Sequence, residues 1–367
     1  MNLAFNVPIN SVSFGQTSTA LLREIKKRSL DPSIFPIGGQ VDLSTQEPDQ
    51  EFDQWVQKNC QKAPASHNRD VPVFKLWHLN GSLESFSKCQ TLLSFYELDE
   101  PTAAETNVAR NHHTIFTSEY TCEAFRNRGA ESHYVPLFFD KFNFKNTGKK
   151  YFDDGRITFN LVGKAEKRKR HEKTIRTWIK RFGGDKRYFL QCAVYNPFFK
   201  DEDNNSIVNN MCEGKKLFNV GFLGFMGKNA IYNDFLNSGD IILGMSGGEG
   251  WGLPEFHSVG LGKHAVIMNA HGYKGWANES NSTLVNPSGK VEAYDGVFFH
   301  KGQPFNQGNI FDYNEDEFIS ACEEAIKKVE ANRTNEEGLK IQEEFTVEKT
   351  LDRILDLSST RRDYQLP

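Results

Sequence analysis

The chain has 367 residues, of which 38% are hydrophobic and 25% charged, with a formal net charge of −4. That is length enough for two domains with sizeable cores and an ordinary composition for a soluble globular protein; it supplies no overall basic field for nucleic acid or an anionic membrane. Six scattered cysteines without a CxxC or metal spacing read as reduced, mostly buried thiols of a cytoplasmic protein, and the N-terminus MNLAFNVPIN has neither the basic start nor the apolar run of a leader.

In chain order, NLAFNV (2–7) reads as a strand and TSTALLREIKKR (17–28) as a helix capped by Thr17 or Ser18. Further strands are expected at 33–37, 73–78, 91–96 and 113–118, followed by a helix over 119–129 that Gly129 stops, and by HYVPLF at 133–138. Residues 140–156 are polar and turn-rich and read as a linker. The alternation then restarts with strands at 157–163, 187–195, 217–224, 240–245 and 264–268, and helical segments between them. Strand–helix alternation implies parallel sheets covered on both faces, and its restart implies two such units. Ligands of such sheets sit at the carboxyl ends of the strands, so the natural site is the cleft between the units.

Just past the 240–245 strand stands MSGGEGWGLPEFHSVGLGKHAVI (245–267). It is neither GxxxxGK[ST] nor GxGxxG. Pro254 suits the first turn of a helix, whose free N–H groups suit a diphosphate or a sugar hydroxyl, and the Glu249 carboxylate can accept hydrogen bonds from sugar hydroxyls. Taken alone, the segment also reads as a glycine-rich turn with solvated acids. Upstream, a strand ends at Gly163, with Lys164 and Lys169 on the following loop; between 164 and 187 eleven Lys or Arg stand against three Asp or Glu. Cations there would neutralise a leaving diphosphate, whereas Lys173, Arg176, Lys180 and Arg181 read as a solvated helix face.

Three stretches, VGKAEKRKRHEKTIRTW, VGFLGFMGKNAIYNDFLNSGDIILGMSGGEGWGLPEF and GLGKHAVIMNAHG, together resemble the retaining GT-B glycosyltransferases of family 4. Gly163, Lys164, Lys169, Tyr232, Asp240, Ser246, Glu249 to Pro254, and Gly262 to Ile267 stand at the motif positions. NVPINSVSFGQTSTALLREI, FTSEYTCEAFRNRG and YVPLFFD resemble stretches of the same family's first half. The chain departs from the pattern at three places: His257 replaces the second Glu of the acidic motif, His264 the usual Pro, and Lys164 the usual Arg. Glu255 falls two residues early on the helix and is expected to face elsewhere.

The resemblance implies an α/β GT-B architecture, two facing Rossmann-like doubly wound domains with an interdomain cleft. Residues 1–150 would form the acceptor side, 156–345 the nucleotide-sugar side, and a terminal helix over about 347–367, with Leu351, Ile354 and Leu355 on one face, would cross back to the first. The activity implied is transfer of a sugar with retention from a nucleoside-diphosphate sugar, with no metal; Asp201-Glu202-Asp203 reads as a solvated loop. Lys164, Lys169 and the Gly15 backbone would stabilise the departing diphosphate, and Glu249 would orient the sugar. Gly163, Gly250, Gly252 and Leu253 would line the donor, Gly224, Phe225 and Met226 would meet the base, and His257 would lie by the ribose. His78 and Glu97, at the ends of strands in the first half, are the candidates on the acceptor side. A glycan or lipid-linked acceptor is the default, a nucleic-acid acceptor stays open, and membrane contact would be peripheral at most. Two alternatives stand beside this reading. One is a nucleotide-sugar epimerase or sugar phosphorylase of the same architecture. The other is a degenerate, non-catalytic binding protein, which His257 favours and Lys164, Lys169 and Glu249 oppose.

Overall fold

A computed structural model describes residues 3–359. The two rounds of alternation become two parallel sheets of six strands each. The first contains β1 (Ala4–Ile9), β2 (Ile34–Val41), β3 (Val73–Leu76), β4 (Gln90–Ser94), β5 (His113–Phe116) and β6 (His133–Tyr134), in the order β2-β1-β3-β4-β5-β6. The second contains β7 (Ile157–Val162), β8 (Tyr188–Ala193), β9 (Val220–Phe222), β10 (Ile241–Gly244), β11 (His264–Met268) and β12 (Thr283–Val285), in the order β12-β11-β10-β7-β8-β9. Every residue of β1 and of β7 is buried, as both-face coverage requires, and this is why they read as unbroken apolar runs.

Helices α1 (Ser13–Lys27), α2 (Gln50–Ser66), α3 (Ala103–Arg110) and α4 (Glu119–Arg126) lie between strands of the first sheet. Helices α5 (His171–Phe182), α6 (Asp201–Met211), α7 (Asn229–Ser238) and α8 (Leu253–Gly260) serve the second. An antiparallel hairpin, β13 (Pro287–Glu292) and β14 (Asn309–Tyr313), then leads through α9 (Glu315–Ala331) and the one-turn helices α10 (Glu336–Leu339) and α11 (Ile341–Glu344) to α12 (Val347–Ser359). Helix α12 packs on α1, β3 and β4. Its Leu351 and Ile354 are fully buried beside Phe5, Leu22 and Ile25, and Arg28 and Lys27 of α1 pair with its Asp352 at 2.5 Å and Glu348 at 2.9 Å. The part of the tail expectation that covers residues 360–367 lies outside the described residues.

Several local expectations change. Helix α1 starts four residues before Thr17, so Thr17 and Ser18 are not caps; their hydroxyls donate to the Ser13 and Phe14 carbonyls inside the helix. Asp201, Glu202 and Asp203 form the first turn of α6 rather than a loop, where their charges suit the helix N-terminus. The 140–156 stretch has no regular structure, yet its first half is pinned. The Lys145 N–H donates to Asn233 Oδ1 at 3.1 Å and the Thr147 N–H to Asn237 Oδ1 at 3.0 Å, and Asp140, Asn143 and Phe144 are buried.

Candidate active site

In each sheet the strand order reverses once, between β1 and β3 and between β7 and β10. Loops leaving the carboxyl ends of two such neighbouring strands diverge and leave a crevice. The loop after β7 carries Gly163 to Lys169 and the loop after β10 carries Met245 to Gly252, so the two stretches singled out by sequence meet at the reversal of the second sheet. Facing them are the loops after β3 and β4, with His78 and Glu97.

At the centre, Lys169 Nζ donates to Glu249 Oε1 at 2.5 Å. Both side chains are buried, at 9% and 7% exposure. Gly163, with φ of +128°, lets the Lys169 stem cross against the backbone; its Cε would lie 3.3 Å from a Cβ there. Arg168, 4% exposed, is the hub. Its Nη1 donates to the Gly248 carbonyl at 2.5 Å and lies 3.1 Å from Glu249; its Nη2 lies 3.0 Å from Glu166 and 3.1 Å from Glu97 of the opposite unit. Burial alone would raise the Glu249 pKa, but the Lys169 and Arg168 charges outweigh it and hold the carboxyl well below its usual range. Glu97 goes the other way: burial and the neighbouring Glu249 and Glu166 raise it despite Arg168.

Sequence reasoning missed Arg168. It is one of eleven cations in a 24-residue run, and nothing in the spacing marks which of them turns inward. The short 3₁₀ turn Lys167–Lys169 does this, followed by Arg170 in the left-handed region at φ of +57°. Lys164 stands further out. Its ammonium is 3.1 Å from Glu166, with the rings of Phe198 and Phe298 at 5.0 and 5.6 Å. His78 is exposed at the rim and its ring lies 4.5 Å from that of Phe14.

The glycines of the 245–252 loop meet the other half of the protein. A Cβ on Gly248 would lie 2.4 Å from the Glu97 carbonyl oxygen, and the Gly250 carbonyl accepts from the Thr117 hydroxyl at 2.6 Å. Gly252 precedes α8 at φ of +83°, with the Tyr273 ring 2.1 Å from where a Cβ would be. Leu253 then opens the helix without a side-chain cap. Gly15 lies buried in the first turn of α1 against Asn10. Gly224 and Phe225 sit on an exposed loop after β9, and Met226 packs partly on the core.

One expectation about α8 needs correction. Glu255 does not face away: it is 2% exposed and close enough to Lys169, Glu249 and Tyr273 for their charges and dipole to act on it. It stands in the first turn, where side chains tilt back toward the N-terminus and hence toward the Lys169 loop. His257 lies where the two units and the 140–145 segment meet, but aromatic rings cover it. Phe144 stacks on it at 4.0 Å, Phe139 meets it edge-on at 5.4 Å, and its Nε2 accepts from the Asp140 N–H at 3.4 Å. Burial pushes it down to about 3, so the ring is neutral. His271, held against the Ser246 carbonyl at 2.8 Å, is likewise pushed by burial down to about 4.

Two Rossmann-like units whose strand-end loops face one another across such a site define the GT-B fold. Solved structures with that fold match nearly the whole chain. A glycosyltransferase from Rickettsia africae aligns with a TM-score of 0.66 at 10% identity over 97% of each chain. Sucrose-phosphate synthase from Thermosynechococcus elongatus aligns at 0.65 and 12% identity, covering 97% of this chain and 98% of the other. Anabaena HepE in complex with UDP-glucose aligns at 0.63 and 14% identity, covering 98% and 100%. At these identities the likeness is one of fold. No protein-family profile matches the chain, and no curated protein matches it. Among the described residues no helix is long and apolar enough to cross a membrane.

Proposed function

We propose that the chain is a glycosyltransferase that moves a sugar, with retention, from a nucleoside-diphosphate sugar to a glycan, lipid-linked or other acceptor, without a metal, in the cytoplasm. The observation that carries this reading is the buried Lys169–Glu249 pair at the strand-order reversal of the second sheet, with Arg168 tying it to Glu97 across the cleft. Retention rests on the resemblance of the 245–254 segment to family 4. Anabaena HepE, of the same fold, was solved in complex with UDP-glucose, which supports the class of donor.

In this mechanism the donor diphosphate takes Lys169, with Lys164 nearer the rim and the Gly15 backbone on the opposite side. A fixed cation aimed at charge that develops on the leaving oxygen lowers the barrier most in a dry site. Lys169 must then exchange one anion for another, and Glu249, released from it, accepts hydrogen bonds from the sugar hydroxyls. Gly163, Gly250, Gly252 and Leu253 supply backbone along the donor, the Gly224–Met226 loop meets the base, and His257 is the ribose-side residue once Phe144 withdraws. His78 and Glu97 stand on the acceptor side.

The test is incubation with a panel of nucleotide sugars and glycan acceptors, with nucleoside diphosphate release followed by chromatography and the new anomeric centre read by NMR. The expected result is diphosphate release coupled to a glycosylated product of unchanged anomeric configuration, lost in Lys169→Ala. Sugar conversion without a glycosylated product would favour an epimerase, and release of sugar phosphate a phosphorylase.

A further inference from the structure

The hairpin β13–β14 joins neither six-stranded sheet, and the proposed transfer gives it no task. Two strands alone are barely stable in water, and β13 buries little of itself. What the arm does bury, it buries against the other unit. Ala293, Phe299 and Ile310 are at most 5% exposed and form one apolar cluster with Leu92, Leu98 and Phe116 of the first unit. The polar contacts of its tip, residues 293–308, go the same way. The Asn306 N–H donates to the buried Glu105 carboxylate at 2.7 Å, and the Thr102 hydroxyl donates to the Pro304 carbonyl at 2.5 Å. Asp99, its side chain 10% exposed, accepts from the Asn309 N–H and from Lys290, both at 2.7 Å. Gly308, with φ of +126°, lets the chain pass this carboxylate: a Cβ there would lie 2.5 Å from Asp99 Oδ1.

The base of the arm holds the second unit. Asp312 pairs with Lys173 at 2.8 Å and with Arg170. The Phe311 N–H donates to the Gly247 carbonyl at 2.8 Å, and the Gly247 N–H donates to the Arg168 carbonyl at 2.9 Å. Residues two apart in a strand present their N–H groups to the same edge. One edge of β14 therefore meets Asp99 of the first unit at residue 309 and the glycine loop at residue 311. At a rise of about 3.4 Å per residue, these anchors stand about 7 Å apart on one extended segment, which leaves little slack between them. We propose that Asp99 is a positioning residue for the glycine loop: it fixes β14, and β14 fixes Gly247, two residues before Glu249. The tip is a clasp between the units, and its grip is felt at the centre of the cleft. This role goes beyond the transfer reading and holds whatever ligand the cleft takes.

Hydrogen exchange read by mass spectrometry tests this on wild type, Asp99→Ala, Asp99→Asn and Gly308→Ala. Asparagine keeps an acceptor for the Asn309 N–H, alanine removes it, and the methyl of Gly308→Ala displaces the carboxylate. Exchange over residues 245–252 is expected to quicken by about tenfold or more in Asp99→Ala and Gly308→Ala and to stay within roughly twofold of wild type in Asp99→Asn. Over α1 and β8 all four proteins should exchange alike. Unaltered exchange at 245–252 in Asp99→Ala, with a faster tip alone, overturns the proposal. A uniform rise across the chain overturns it too, since Asp99 would then be a general stabiliser. If Asp99→Ala does not fold, Gly308→Ala set against Asp99→Asn decides by the same criteria.

Discussion

Replacing Arg168 by Met keeps much of the side-chain volume and removes the charge. Four contacts go: the Gly248 carbonyl at 2.5 Å, Glu249 at 3.1 Å, Glu166 at 3.0 Å and Glu97 at 3.1 Å. Deleting one partner of a buried ion pair costs about 3–5 kcal/mol, mainly through the charge left behind. Here Glu249 keeps Lys169 and Glu166 keeps Lys164, while Glu97, 29% exposed, turns toward water or takes a proton. The expected loss is therefore at the low end, about 3 kcal/mol. For a unit of 150–250 residues that is a fall of roughly 6–12 °C in melting temperature. Chemical denaturation of wild type, Arg168→Met, Glu97→Gln and the double variant measures it, and the cross-cleft pair should appear as a coupling of about 1 kcal/mol. A loss under about 1 kcal/mol with full additivity would refute the place given to Arg168.

Four other outcomes follow from the same structure. Lys169→Ala should cost on the order of 2–4 kcal/mol of transition-state stabilisation, the scale of one preorganised group, read as kcat/KM in the transfer assay. Gly248→Ala drives a methyl into the Glu97 carbonyl and should part the two units, measurable as a larger radius of gyration in solution scattering. Leu351→Ala empties a fully buried position of α12 and should destabilise by about 2–5 kcal/mol in denaturant unfolding. Burial holds His171 and His257 neutral, down to about 3, so the stability they contribute is present above pH 6.5 and is lost as pH falls toward 3. Unfolding midpoints for His171→Gln should accordingly decline less steeply in acid than those of the wild type.

The sheets were legible because strands buried on both faces leave short apolar runs that no surface requirement interrupts, as in ITFNLV and DIILGM. Helix α2 was not, because its buried face is only Phe52, Val56, Asn59 and Ala63 within a polar stretch. The hairpin was hidden for a related reason: β13 packs little of itself inside, and tertiary contacts, such as the Asn309 N–H of β14 to Asp99 at 2.7 Å, fix the hairpin's place. At the site, motif position pointed to Lys169 and Glu249, which the structure brings together. It could not reveal Arg168, whose inward turn depends on a 3₁₀ turn and a left-handed Arg170, or the direction of Glu255, which Gly252 sets by starting α8 where it does. His257 was placed near the meeting of the two units, but Phe144, 113 residues away in sequence, covers it.

The central claim is that Lys169 and Glu249 form the seat of a nucleoside-diphosphate sugar. Titration calorimetry of a nucleotide-sugar panel against wild type and Lys169→Ala tests it most directly. The account predicts that at least one nucleotide sugar binds the wild type with one site per chain, and that Lys169→Ala weakens that binding by tenfold or more. Binding of equal strength to both proteins, or a wild type that binds no member of the panel, would contradict it.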